Sequence, residues 1–337
     1  MAMHVPYDEE NYQKFMRTEV AGWLKDCVSG SRYRSFDGTE LQYYHAIPDH
    51  PKGTVVFVHG FCEFFGKFHE VCYDFFDSGY AVYFMEQRGH GHSGRAVPEF
   101  DRVHVERFDD YVEDLHGFLK QIVIPEMAKA ASGKDGAAER DCLPLFLYAH
   151  SMGGAVSALF LEKYPSVFNA AVLSSPMLKM KFGTVPVWQV RLLMLWSRIA
   201  GWKNRPMPGF TPWSDKPDFE HSGSLSKARY DYQFRLRCED EQCRTNGGTY
   251  SWGRAAVHAV NQLQKQAGRV KIPVLICQAG RDEWVDNEGQ KAFAAKAGNA
   301  RIVKFPEAKH EIYASGGQIL DDYYRTVFEF FNAQAGV

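Results

Sequence analysis

Leu145-Phe146-Leu147-Tyr148-Ala149-His150-Ser151-Met152-Gly153-Gly154 is the stretch that decides the fold. Its first four residues form a short run, apolar on both faces, of the kind that makes a buried parallel strand. Behind the glycines, Ala155, Val156, Leu159 and Phe160 recur at helical spacing, so a helix opens directly there. A serine set between a buried strand and a helix, flanked by small residues, is the context of the nucleophile elbow, written Gly-x-Ser-x-Gly. The turn is so tight that its flanks have to be small, and the hydroxyl then projects from a sharp corner at the top of the sheet. Ala149 stands where the first glycine would be, a mild departure, because that position needs smallness more than a positive φ. Taken alone, a serine here reads equally well as a helix cap. The strand, the helix and the partner residues below make Ser151 the candidate nucleophile.

Outward from the elbow, Thr54-Val55-Val56-Phe57-Val58, Tyr80-Ala81-Val82-Tyr83-Phe84-Met85, Ala170-Ala171-Val172-Leu173 and Pro273-Val274-Leu275-Ile276 are further buried-strand runs. Helical patterns at 67–78, 107–131, 152–164 and 287–297 lie between most of them. Strands alternating with helices predict an α/β protein with a mostly parallel central sheet and helices on both faces. Upstream, the first thirty residues read as one amphipathic helix ended by Ser29-Gly30. Strands near 33–36 and 40–47 follow, joined by the turn Asp37-Gly38. Residues 132–141 read as a polar surface loop. Between Met177 and Trp252 the alternation fails: no strand is evident, aromatics abound, and 187–202 reads as an amphipathic to nearly all-apolar helix. The expected organisation is a core of 1–176 and 253–337, with 177–252 inserted as a helical cap. Such a cap would cover the carboxyl edge of the sheet, where open α/β sheets bind ligands.

Composition narrows the classes. A length of 337 residues accommodates one large domain with an insertion. A net charge of -2 provides no field toward nucleic acid, and no nucleic-acid partner is expected. The cysteines are odd in number and scattered, which fits reduced thiols in a cytoplasm. Cys238 and Cys243 are the only close pair, and without a matching second pair no zinc is expected. Met1 to Glu10 lacks the basic start and apolar run of a signal peptide. No stretch reaches the ~18 consecutive apolar residues of a membrane-spanning helix. The expectation is a cytoplasmic protein, soluble or peripherally bound, that uses no metal and no cofactor.

A serine hydroxyl is a poor nucleophile without a base, and the base needs an orienting acid. On a strand–elbow–helix scaffold the acid and then the histidine follow the serine in the chain. Asp282 lies just past the strand ending Cys277-Gln278-Ala279-Gly280, and His310 just past Ile302-Val303-Lys304-Phe305. Both sit on loops at the carboxyl edge. Asp286 is the rival acid; Asp282 is preferred because it is nearer the strand end. An oxyanion hole needs two backbone N–H groups, one from the residue after the nucleophile, Met152, and one from the loop His59-Gly60-Phe61, by position Phe61. Gly89-His90-Gly91-His92-Ser93-Gly94 matches a dinucleotide fingerprint, but Arg95 to Arg102 carries Pro98 and no helical pattern, so nucleotide binding is rejected.

These residues resemble the monoglyceride lipase and lysophospholipase branch of the α/β hydrolases, and within it bacterial lysophospholipases. The likeness rests on His59-Gly60-Phe61, Arg88 to Gly94, Val103 to Leu115, Ala149 to Ala155, Thr249 to Trp252, Asp282, Val285 to Asn287 and His310 to Ile312. It implies the α/β-hydrolase fold and cleavage of an acyl ester from a glycerol-based lipid, a lysophospholipid or a monoacylglycerol. Spacing alone gives only a capped serine hydrolase. A general carboxylesterase or a prolyl-iminopeptidase-like enzyme on the same triad stays open, as does a non-catalytic binding protein. The apolar Trp188, Leu192, Leu195 and Trp196 are candidates for lining an acyl entrance or touching a membrane surface, against the plainer expectation that this helix packs on the core.

Overall fold

Five buried apolar runs pair side by side as the centre of an eight-stranded sheet in the computed structural model, which describes residues 8–131 and 143–336. Helix α1 (Tyr12–Phe15), a π-helical turn (Met16–Val20) and α2 (Ala21–Asp26) open the chain. Then come β1 (Ser29–Arg34), β2 (Glu40–Ala46), β3 (Thr54–Val58), α3 (His69–Asp77), β4 (Ala81–Met85) and β5 (Arg102–Val103). Helix α4 (Asp109–Phe118) continues through a π-helical turn into α5 (Ile124–Ala131). After them lie β6 (Leu145–His150), α6 (Met152–Lys163), β7 (Ala170–Ser174), α7 (Val187–Ile199), α8 (Lys227–Glu239), β8 (Gly247–Gly248) and α9 (Tyr250–Gln266). The last elements are β9 (Val274–Ala279), α10 (Asn287–Ala297), β10 (Ala300–Phe305) and α11 (Gly317–Ala335).

Two expectations need correction. Ser29 and Gly30 begin β1 and pair with His45 and Tyr44, so the helix stops earlier, at Asp26. The insertion does hold a strand: β8 pairs with β5 in parallel, Arg102 opposite Gly247 and Val103 opposite Gly248. Two glycines carry no side-chain pattern, which is why periodicity passes over them. The polar loop expected at 132–141 and residues 1–7 lie outside the described residues.

The sheet order is β1-β2-β4-β3-β6-β7-β9-β10. Strands β4 through β10 in that order are parallel, and β1 and β2 are antiparallel at one edge. Successive side chains of a strand face opposite ways, and the core divides accordingly. Val56, Leu147, Leu173 and Ile276 pack with residues of α4, α6 and α9. Val55, Phe57, Phe146, Tyr148 and Leu275 pack with residues of α1, α3 and α11. This is the α/β architecture the sequence predicts. Because β3 lies between β4 and β6, the strand order reverses between β3 and β6, and the crevice at such a switch point is where open α/β sheets bind ligands. Among the described residues, no helix is long and apolar enough to cross a membrane.

Candidate active site

Ser151 occupies the corner between β6 and α6 with φ 50 and ψ -117. A side-chain-bearing residue with positive φ is strained, by ~1–3 kcal/mol. The surroundings hold it there: its N–H donates to Ser174 O at 3.0 Å, and its carbonyl accepts from Gly154 N and Met177 N, both at 2.9 Å. A Cβ at Gly153 would overlap the carbonyl oxygens of Val58 and His59, so only glycine lets α6 approach the end of β3. Ala149 is fully buried within β6, between Val58 and Leu173 of the neighbouring strands, which explains why its methyl group fits.

Asp282 follows β9 and His310 follows β10, and the two loops meet. His310 Nδ1 lies 2.6 Å from Asp282 Oδ2, with both side chains buried. The second carboxylate oxygen accepts from Trp284 N at 3.0 Å and Val285 N at 2.9 Å. Burial pushes the Asp282 pKa up, but the His310 hydrogen bond and charge and the two amides outweigh it and hold the carboxyl below its ordinary value. Lys181 Nζ donates to the Asp282 carbonyl at 2.6 Å, bracing the loop. The rival Asp286 is committed elsewhere. It caps α10 by accepting from Glu288 N at 3.0 Å and pairs with Lys179 Nζ at 2.6 Å. Ser151 and His310 line one cavity without a direct hydrogen bond, and such contacts often tighten only when substrate binds.

Phe61 stands directly behind β3, and its ring stacks on Trp252 with centroids 4.0 Å apart. Neither the Phe61 nor the Met152 amide has an acceptor among the described residues. For Met152 this follows from its place in the first turn of α6, whose leading N–H groups are left over by helix geometry. The loop is fixed by Glu63, a residue that sequence reasoning missed. The Glu63 carboxylate is buried and accepts from Gly60 N, from Tyr313 OH at 2.8 Å and from Lys67 Nζ at 3.0 Å. It also faces His150 Nδ1 at 3.0 and 3.1 Å. Burial would raise its pKa, but His150 and Lys67 hold it well below the usual carboxylate range. Lys67 also pairs with Glu311 at 2.7 Å. One carboxylate therefore ties together the Phe61 loop, the strand end before Ser151 and the segment after His310. Its only sequence signal is a lone charge among Phe61, Phe64 and Phe65.

Above these groups opens a cavity of about 970 Å³, lined by Phe61, Ser151, Met180, Phe182, Trp213, Trp252 and His310 among others. Helix α7 gives it Val190, Leu193 and Met194. The residues picked out in the sequence lie on the other side of that helix. Trp188, Leu192, Leu195 and Trp196 are 61%, 48%, 54% and 63% exposed, and none lines the cavity. The correction has a plain reason: large apolar residues stand on both faces of α7, on the outer one beside Arg191 and Arg198, so hydrophobicity alone does not tell inside from outside.

The glycine loop 89–94 is filled by protein. Glu86 accepts from His92 N at 2.7 Å, and Arg95 donates to Gly91 O at 2.9 Å and to the Gly89 and Gln242 carbonyls. His92 also meets Asp240 at 2.9 Å, close to Cys243, a juxtaposition the sequence did not suggest.

Lysophospholipase L2 of Escherichia coli (strain K12) is 29% identical over 315 residues, covering 90% of this chain and 87% of the relative. A monoacylglycerol lipase of Mycolicibacterium smegmatis is 25% identical, covering 85% and 91%. The fold matches a soluble variant of monoglyceride lipase from Saccharomyces cerevisiae, solved with a substrate analogue, at TM-score 0.70, 16% identity and coverage of 91% and 94%. The family described as serine aminopeptidase, S33 (Hydrolase_4) matches residues 49–315, and the chain belongs to that family.

Proposed function

We propose that the protein is a serine hydrolase that cleaves the acyl ester of a single-chain glycerolipid through an acyl-enzyme on Ser151. His310, oriented by Asp282, takes the seryl proton as Oγ attacks the ester carbonyl. The Phe61 and Met152 amides receive the developing oxyanion, and losing one such donor typically costs ~2.7–4 kcal/mol of barrier. His310 then returns the proton to the departing glycerol oxygen, and a water, activated by the same imidazole, releases the fatty acid. The observation that carries the reading is the meeting of the buried Asp282–His310 pair and the Ser151 elbow at a large cavity with many apolar and aromatic walls. Each acyl methylene moved from water into it contributes ~0.8 kcal/mol. Residues 177–252 serve as the cap that roofs this cavity. The exposed apolar side of α7, including Ile199, rests on a lipid surface during uptake.

An aminopeptidase on the same triad would need a free carboxylate for the substrate amine. Of those in the lining, Glu63 and Glu311 are committed to Lys67 and Asp218 is paired with His221. The test is labelling by a fluorophosphonate probe, followed by hydrolysis of lysophospholipid, monoacylglycerol, a short ester and an amino-acid amide. Labelling with turnover of the long-chain lipids is expected. Preference for the amide, or equal rates on acetyl and long-chain esters, would remove the lipid reading.

A further inference from the structure

The carboxylates of the cavity wall are all engaged: Glu63 and Glu311 by Lys67, and Asp218 by His221 at 2.8 Å. The cations are in excess. Lys181, Lys216 and Arg237 line the same wall without a carboxylate partner among the described residues. Arg237, on α8, is the most constrained of the three. Its Nε donates to Cys243 O at 3.0 Å, its Nη2 donates to Thr245 O, and its guanidinium lies 4.2 Å from the centre of the Trp213 ring. Nη1 has no acceptor among the described residues, and Arg237 is partly exposed in the cavity wall. Burial lowers the Arg237 pKa from the ordinary arginine value, yet leaves it a cation. Phe61, Cys62 and Arg237 line the same cavity, so this charge faces the space onto which the loop that would receive the oxyanion opens.

A largely buried cation with no carboxylate in contact is costly unless something else supplies the negative charge; Glu311, paired with Lys67, acts on it only at longer range. Two carbonyls and an aromatic face fix its plane but do not neutralise it. The remaining donor, in the wall of the cavity that Ser151 also lines, suits the oxygens of a phosphate, for which a guanidinium is the best-matched side chain. We propose that Arg237 receives the phosphodiester of a lysophospholipid headgroup, which makes the charged lipid the preferred substrate over a neutral monoacylglycerol. This assignment rests on the lipid-ester reading of Ser151.

The experiment measures kcat/KM on lysophosphatidylcholine and on a monoacylglycerol of the same acyl chain, for the wild type, Arg237→Gln and Arg237→Lys. In the wild type the charged lipid is the better substrate. Arg237→Gln should lower the ratio of the two constants tenfold or more, and Arg237→Lys should recover part of it. A ratio unchanged by Arg237→Gln, including equal loss on both lipids, overturns the assignment, because Arg237 then only buttresses the 243–245 turn. A second measurement needs no variant: glycerophosphocholine should compete with a short neutral ester, and glycerol should not. Equal inhibition by the two, or none by either, also counts against it. A wild type that cleaves monoacylglycerol but not lysophospholipid defeats the headgroup assignment and leaves the lipid reading standing. A wild type that takes the fluorophosphonate and cleaves neither lipid defeats the lipid reading itself.

Discussion

Beneath Ser151, a single buried carboxylate, Glu63, gathers an amide, a phenol, a lysine and an imidazole. Above it, α7 presents valine, leucine and methionine to the cavity and tryptophan and leucine to solvent. Floor and roof meet the same cavity by different physics. In the floor, the charges of Glu63 and Lys67 have close partners, and position is set by directional bonds with steep distance dependence. In the roof, contact is non-directional and roughly proportional to area. The floor can therefore hold a reaction geometry, while the roof can accept chains of different lengths. Changes to the floor should act on kcat, and changes to the roof should act on the dependence of rate on substrate.

The largest effects belong to the reacting groups. Ser151→Ala and His310→Ala should each lower kcat by on the order of 10⁵-fold or more, with the fold intact by circular dichroism, since the pair acts as a unit. Retention of more than a few per cent of turnover by Ser151→Ala would sink the nucleophile assignment. Next, Asp282→Asn should cost about 10⁴-fold in kcat. Asp286→Asn should change it only a few-fold, because that residue caps a helix. The opposite ranking would move the acid to Asp286.

A third measurement reads the floor through stability. The folded-state pKa of Glu63 lies well below its unfolded value of ~4.3, so between the two the unfolded chain binds more protons. Its stabilising contribution is complete above about pH 4.3 and is lost as pH falls through the lowered folded value. Glu63→Gln should reduce stability at neutral pH, by about 3–5 kcal/mol if it behaves as a broken buried pair, and should flatten part of the acid limb of the Tm profile. An unchanged acid limb would mean that Glu63 is not a stabilising anion.

The smallest effects distinguish the two sides of the roof. With esters below their micellar concentration, kcat/KM should rise with acyl length by at most about fourfold per methylene. Leu193→Asp, on the cavity side, should flatten that rise. Trp196→Asp, on the outer side, should preserve it and instead weaken sedimentation with phospholipid vesicles. If Trp196→Asp alone flattened the series, the outer stripe would be the acyl path after all.

Sequence made the triad candidates legible because each stands just past a strand: buried apolar runs before Ser151 and Asp282, and the partly buried Ile302-Val303-Lys304-Phe305 before His310. Glu63 and Arg237 were not legible. The first matters because loops from β3, β6 and β10 converge on it; the second matters because its wall holds no free acid, a fact about neighbours distant in the chain. Ser29-Gly30 reads as a helix stop because glycine usually breaks structure, whereas here pairing with Tyr44 and His45 supplies the backbone partners. The face of α7 could not be chosen because Arg191 and Arg198 share the exposed side with Trp188, Leu192, Leu195 and Trp196, so apolar residues stand on both sides.

The pairing of β5 with β8 has a consequence for how the molecule comes together. It joins Arg102-Val103 to Gly247-Gly248, segments far apart in the chain, through a ladder only two residues long. Closing so long a loop is entropically unfavourable, and so short a ladder contributes little to offset it before the sheet is in place. This seam should therefore be among the last contacts made and the first released. The Gly247 and Thr249 amides, which donate to Asp101 O and Val103 O, should exchange with solvent deuterium well ahead of those in β6. Arg237 is anchored to the carbonyls of Cys243 and Thr245, immediately beside the seam. Mild warming should therefore blunt the discrimination between substrates before it melts the sheet that carries the chemistry.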